Sequence, residues 1–119
     1  MDQPYVIIAE DEAIIGIDLC ETLAEAGFEV EGPLPDLASA MLASQLRKPD
    51  AAILDINLGD ENSFALAEKL LADDVKVIFH SGAWSTEDVQ RHFPNALLLQ
   101  KPCPPMKMVE ALQTTLEPA

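Results

Sequence analysis

Three carboxylates stand where apolar runs end. Glu10 and Asp11 follow residues 5–9, and Asp55 follows residues 51–54. Acids crowded into one place repel one another and favour a shared proton or a bound cation. A hydroxyl, Ser81, comes just past a third apolar run, and an amine, Lys101, just past a fourth. If those run ends meet, an acid trio, a hydroxyl and an ammonium share one face. Such a set has the chemistry of a cation site with a reactive group beside it. Asp55 carries the most weight, because it interrupts an apolar stretch between Leu54 and Ile56, where an unpaired acid is costly. Taken singly, Ser81 reads as a turn residue before Gly82, and Lys101 as a surface lysine. Their convergence is the informative feature.

The elements that must position these groups alternate along the chain. Residues 5–9 and 51–54 read as buried strands, residues 75–79 and 96–99 as two more, and residues 28–31 as an edge strand ending at Gly32-Pro33. Helical periodicity covers residues 13–26 up to Gly27, a natural C-cap, and residues 37–46 after Asp36, a natural N-cap. Residues 57–62 form a polar, glycine-containing loop. Helices follow over residues 63–72, capped by Asn62 or Ser63, over residues 85–93, capped by Ser85, and over residues 105–116, with Pro105 in the first turn. Strict strand–helix alternation with short connections predicts an α/β fold, a doubly wound five-stranded parallel sheet. The expected strand order is 2-1-3-4-5, flavodoxin-like. In that order the first and third strands adjoin, so Asp11 and Asp55 meet at the switch point.

Composition narrows the function. At 119 residues, 49% of them hydrophobic, the chain predicts a single domain, 1–119, with one real core. The net charge of −14 argues against nucleic acid or an anionic membrane as direct partners, since both need a basic face. No basic stretch followed by a long apolar one opens the chain, and no run reaches the roughly 18 apolar residues of a membrane span. Cys20 and Cys103 lack metal-ligand spacing, so a reducing, cytoplasmic location is the simplest expectation.

The motifs, in this order and spacing, resemble the receiver domains of two-component response regulators. The match rests on Glu10-Asp11, Asp55, Ser81 and Lys101-Pro102, and runs over essentially the whole chain. The resemblance implies that Asp55 accepts a phosphoryl group from a histidine kinase or a histidine phosphotransfer protein. It implies Mg²⁺ held by Asp11, Asp55 and the backbone carbonyl of Asn57, with Glu10 acting through a water. Lys101 would meet a phosphoryl oxygen, and Ser81 would donate to the acyl phosphate with Gly82 leaving room beside it. Lys101-Pro102 falls where the family carries a cis peptide bond. The chain would catalyse only its own phosphorylation and slow dephosphorylation, and would switch contact with an output protein that the sequence does not name. Alternatives within the family are a phosphate shuttle or sink, or a receiver module cut from a larger regulator or hybrid kinase.

Some positions depart from the family pattern. Leu98 stands where many receivers have a Tyr or Phe that rotates inward on phosphorylation, and Cys103 stands where Phe is usual after Lys-Pro. The expectation is therefore a switch that draws Ser81 inward and reorders residues 84–93 without that aromatic. Trp84, the sole tryptophan, is either a partly exposed contact residue or a packing residue. His80 and His92 are expected to have no metal or base role, Cys20 to sit in a helix core, and Met106 and Met108 to divide between surface and interior. A flavin carrier on the same fold would need a phosphate-cradling loop where Glu10-Asp11-Glu12 stands. An aspartate-nucleophile phosphatase would want a general acid where Asn57 stands.

Overall fold

The computed structural model describes residues 3–117, so the outermost residues of the expected 1–119 domain, Met1, Asp2, Pro118 and Ala119, lie outside the described residues. A parallel sheet runs in the order β2 (Glu29–Leu34), β1 (Tyr5–Ala9), β3 (Ala51–Leu54), β6 (Lys76–Ser81) and β7 (Leu97–Gln100). Between β3 and β6 lies a small antiparallel hairpin, β4 (Asn57–Leu58) with β5 (Glu61–Asn62). Leaving that hairpin aside, the order is the expected 2-1-3-4-5 of a flavodoxin-like, doubly wound sheet. Every residue of β1 and β3 is buried, which is why both read as unbroken apolar runs rather than alternating ones.

Helices cover both faces. On one side α1 (Ala13–Glu25) and α5 (Pro105–Leu116) pack Leu19, Leu23, Met108 and Leu112 onto Val6, Ile8, Ile53 and Ile78. On the other, α2 (Leu37–Leu46), α3 (Phe64–Ala72) and α4 (Thr86–His92) bring Ala40, Leu66 and Val89 against Ile7, Leu54, Val77 and Phe79. The period of two in each strand divides its side chains between these cores. Met108 is buried and Met106 exposed, as the helical spacing predicts. Cys20 is half-buried against the α1–α5 core, and burial pushes its thiol up to about 11.

The parallel register delivers the site. Ala9 pairs with Leu54, and Leu54 with Phe79, so Glu10 and Asp55 leave the sheet side by side. Ser81 pairs with Gln100, which puts Ser81 and Lys101 at the same end. The strand ends move slightly from expectation: Ser81 is the last residue of β6 and is buried, and β7 begins and ends one residue later.

The second strand and the 57–62 loop differ more. β2 runs through Gly32 and Pro33, joined by a cis peptide bond, to Leu34. As an edge strand it loses no essential ladder bond to proline, and its register against β1 shifts between Ile7 and Ala9. Gly32 has φ +148, and a Cβ there would meet the Ile8 carbonyl at 2.6 Å, so only glycine fits. The loop closes as the β4–β5 hairpin, with Gly59 at φ +61 in its turn. Two-residue strands carry too little pattern to stand out in sequence.

Local caps follow the expected chemistry. Asp36 accepts from the Ser39 amide at 2.7 Å and Ser39 returns a bond, completing a capping box. Ser85 caps α4 by accepting from the Asp88 amide at 3.1 Å. Asn62 caps α3, accepting from the Phe64 amide at 2.6 Å, while the Ser63 hydroxyl is used elsewhere. Gly16 lies inside α1, where a Cβ would sit 2.5 Å from Pro33 Cβ and 3.4 Å from Glu10 Cγ. The helix thus rests directly on β2 beside the first acid. Gly16→Ala is expected to destabilise the fold by about 1–3 kcal/mol through overpacking against a rigid ring, read as a lower urea midpoint with unchanged slope.

Candidate functional site

Backbone hydrogen bonds fix the acids before any side-chain contact does. The Asp55 amide donates to the Ala9 carbonyl and the Glu10 amide to the Leu34 carbonyl, both at 3.0 Å. Glu10 and Asp55 are buried and Asp11 is exposed, and each offers an oxygen within 4.8 Å of the others. Asp11 Oδ2 accepts from the Gly59 amide at 3.0 Å, which ties the β4–β5 turn to the cluster. Asn57 opens β4 two residues after Asp55, with its side chain exposed.

Lys101 is the counter-charge. Its Nζ lies 2.9 Å from Glu10 Oε1, 3.1 Å from Asp55 Oδ2 and 3.3 Å from Glu12 Oε1. The Lys101 amide donates to the Ser81 carbonyl at 3.0 Å, so the strand pairing also aims the lysine. Ser81 reaches the same end, but its hydroxyl accepts from the Ala83 amide at 3.2 Å rather than bonding an acid. A Cβ on Gly82 would meet only Lys101 Cβ, at 3.7 Å. Against the described residues that is ordinary van der Waals contact.

Three residues join the site without having been expected to. Glu12 is the N-cap residue of α1 but makes no capping bond and extends to Lys101 instead. Its position next to Asp11 was the one available signal. Ser63 donates its hydroxyl to the Asp55 carbonyl at 2.8 Å, across the intervening hairpin, and no spacing rule anticipates that bond. His80 lies with Nδ1 3.8 Å from Glu10 Oε1, too far for a hydrogen bond.

The electrostatics follow from burial and crowding. The Asp55 carboxyl is raised to about 6: burial pushes it up most, Lys101 pulls it part of the way back, and the Glu10 charge adds to the rise. Burial works against the Lys101 charge, yet hydrogen bonds to Glu10 and Asp55 outweigh it and raise its pKa above the ordinary lysine value. Burial, and then Lys101, lower the pKa of His80, keeping the ring neutral near pH 7. Three carboxylates within reach of one point are hard oxygen donors, the set that Mg²⁺ takes. The residues present therefore fit a divalent hard cation.

A strand-end trio of acids opposite a lysine, at the switch point of a 2-1-3-4-5 sheet, defines the receiver class of signalling domain. The family model for the response regulator receiver domain matches residues 6–113, and the chain belongs to that family. Among curated proteins, it is 34% identical over 84 residues to the transcriptional regulatory protein PdtaR of Mycobacterium tuberculosis, covering 71% of this chain. The same match covers 41% of the relative, so the chain spans well under half the length of that protein. Two solved structures share the fold. The non-phosphorylated HemR receiver domain of Leptospira biflexa superposes with TM-score 0.85 at 22% identity, covering 98% of this chain and 97% of that one. The chemotaxis protein CheY4 of Vibrio cholerae gives 0.83 at 23% identity, over 96% and 99%.

Two outcomes follow from the charge balance. Replacing Lys101 with Met leaves buried Glu10 without its cation and is expected to cost about 3 kcal/mol in urea unfolding at pH 7. Asp55→Asn removes an acid whose ionised form folding disfavours. It is expected to stabilise the metal-free protein by about 1–3 kcal/mol at pH 7. Because the folded carboxyl titrates near 6, above its unfolded value, that gain should shrink as pH falls through about 6. Urea midpoints of both proteins at pH 5 and pH 7.5 test the sign.

Proposed function

We propose that the chain works as a single receiver domain in which Asp55 is the phosphoacceptor. The observation that carries this reading is the position of Asp55: buried, beside Glu10 and Asp11, with Lys101 Nζ 3.1 Å from its carboxylate. A carboxylate oxygen of Asp55 attacks the phosphorus of a phosphohistidine on a histidine kinase or histidine phosphotransfer protein. The new O–P bond forms as the N–P bond breaks, and the imidazole leaves with the bonding electron pair. Mg²⁺, taken by Asp11, Asp55, the Asn57 carbonyl and, through water, Glu10, would offset the carboxylate charge and bind a phosphoryl oxygen. Lys101 follows the negative charge from the carboxylates to a phosphoryl oxygen. The Ser81 hydroxyl turns from the Ala83 amide to donate to the acyl phosphate.

The same motion reaches the surface without an aromatic at position 98. Leu98 is buried opposite Phe79 in the β6–β7 register. The aromatic path lies elsewhere. Phe64 meets Trp84 at 5.1 Å and Phe79 at 5.6 Å edge-on, and Phe93 at 4.9 Å in a tilted contact. Phe64 directly follows Ser63, which holds the Asp55 carbonyl. Gln100 donates to the Trp84 carbonyl at 3.1 Å, tying the loop after Ser81 to β7. Drawing Ser81 inward therefore shifts Trp84 against Phe64 and repositions α4. The output is a contact with another protein on the α4–β7–α5 side, where Leu97 and Met106 are exposed. No helix among the described residues is long and apolar enough to cross a membrane. We place the domain in the cytoplasm, where kinases of this signalling class present their phosphohistidine, and assign it no turnover of external substrates.

Incubation with acetyl phosphate and Mg²⁺, followed by intact mass, is expected to add one phosphoryl group, which neither Asp55→Asn nor magnesium-free protein acquires. Addition to the Asn variant, or no addition to the native chain, would remove Asp55 from the role. A phosphate mimic is expected to change Trp84 fluorescence and the amide shifts of residues 84–93. Unchanged spectra with a demonstrably occupied site would exclude the proposed route.

A further inference from the structure

The outward face of α2 differs from the rest of the surface. Of the helices α1 to α5 in the described residues, α2 alone carries no charged side chain. Ala38, Met41, Leu42, Gln45 and Leu46 are all exposed, Leu42 at 55% and Leu46 at 78%. At 3.6 residues per turn they fall within an arc of about 140°, on the opposite side of the helix from buried Ala40. A surface helix ordinarily turns its charged side to water, so an exposed apolar stripe marks a contact. Ile14 and Ile17 of α1 are also exposed, but an acid follows each one turn later, Asp18 and Glu21. The reaction proposed above makes no use of α2.

Charge selects the occupant. With a net charge of −14, two copies of this chain repel one another over most of their surface, and a charge-free face is where they can approach. The ends of α2 add attraction. Asp36, exposed, caps the start of the helix, and Arg47 and Lys48 follow its end. Arg47 is engaged within the chain, ion-paired with Glu29 and stacked over the Tyr5 ring at 3.9 Å. Lys48 is exposed and makes no ion pair among the described residues. Two α2 helices packed antiparallel about a two-fold axis put Met41 and Leu42 at the centre, and Asp36 of each copy near Lys48 of the other. The adjoining edge strand β2 offers no rival contact, because it exposes Glu29 and Glu31 and contains Pro33, which has no N–H to donate. We propose that the α2 face is a self-association surface, on which a second copy of this chain docks its own α2 antiparallel. One face of a ten-residue helix covers less than the roughly 1,200 Å² of stable complexes, so the dimer is weak, with a Kd on the order of 100 μM.

Sedimentation equilibrium of the unphosphorylated chain, from about 10 μM to about 1 mM, reads the association directly. No phosphoryl transfer is involved, so the result is independent of the role given to Asp55. The average mass is expected to rise with concentration from one chain toward two, with concentration-dependent amide shifts centred on residues 38–46. Leu42→Lys sets like charges together at the axis. It should weaken association by at least about tenfold with an unchanged urea midpoint, even though it lowers the chain's net negative charge. Ile14→Lys makes the same charge change on α1 and should leave the dimer intact. Lys48→Glu should weaken it about fivefold. A single-chain mass at every concentration would overturn the proposal and leave the face to a protein of another sequence. Association undiminished in Leu42→Lys, or shifts centred away from α2, would overturn it as well, and an undiminished Lys48→Glu dimer would overturn the antiparallel arrangement.

Discussion

One ammonium among three carboxylates sets the terms for the rest of the molecule. Glu10, Asp55 and Glu12 all lie within 3.3 Å of Lys101 Nζ, and Asp11 stands beside them without it. The lysine relieves part of the repulsion, but not all of it, because Asp55 still titrates near 6. The acid cluster therefore carries more negative charge than Lys101 offsets, in a half-buried place. A bound hard cation would change the balance most at this point. A two-state response needs such a place, since a ligand biases only states that it binds unequally.

The scaffold is built to hold that repulsion still. The acids issue from neighbouring central strands that are buried on both faces, so neither backbone can drift outward to relax the charge. Glu10 is held further by the rest of its neighbourhood. Its amide bonds Leu34 of the edge strand, and α1 lies close enough at Gly16 that a single methyl would press on both Pro33 and Glu10. The turn of the β4–β5 hairpin secures Asp11 through the Gly59 amide, and Ser63 secures the Asp55 carbonyl. The side chains that respond to charge are thus fixed by backbone groups that do not. Ser81 and Lys101 stand at the ends of the two strands next outward, Ser81 closing β6 and Lys101 following β7.

With Leu98 in the fifth sheet strand, the aromatic contacts near the site run through other residues. Phe64, Phe79, Trp84 and Phe93 make a continuous set of edge and tilted contacts from the strand before Ser81 to the end of α4. Trp84 is partly buried by this cluster, so both readings of it in the sequence, packing and partial exposure, describe the same side chain.

Sequence alone determined the alternation of strands and helices, the ends of α2 and α5, the cap residues Asp36 and Ser85, and the identity of five charged or polar groups at strand ends. Those features are local: periodicity, turn chemistry and an acid interrupting an apolar run act within a few residues. The extension of β2 through Gly32-Pro33, the β4–β5 hairpin, the reach of Glu12 to Lys101, the bond from Ser63 to Asp55 and the place of His80 behind Glu10 were decided only by tertiary structure. Each depends on a partner far away in the chain, or on edge pairing that tolerates proline. No pattern within a few residues encodes the distance between two side chains that only the folded sheet brings together.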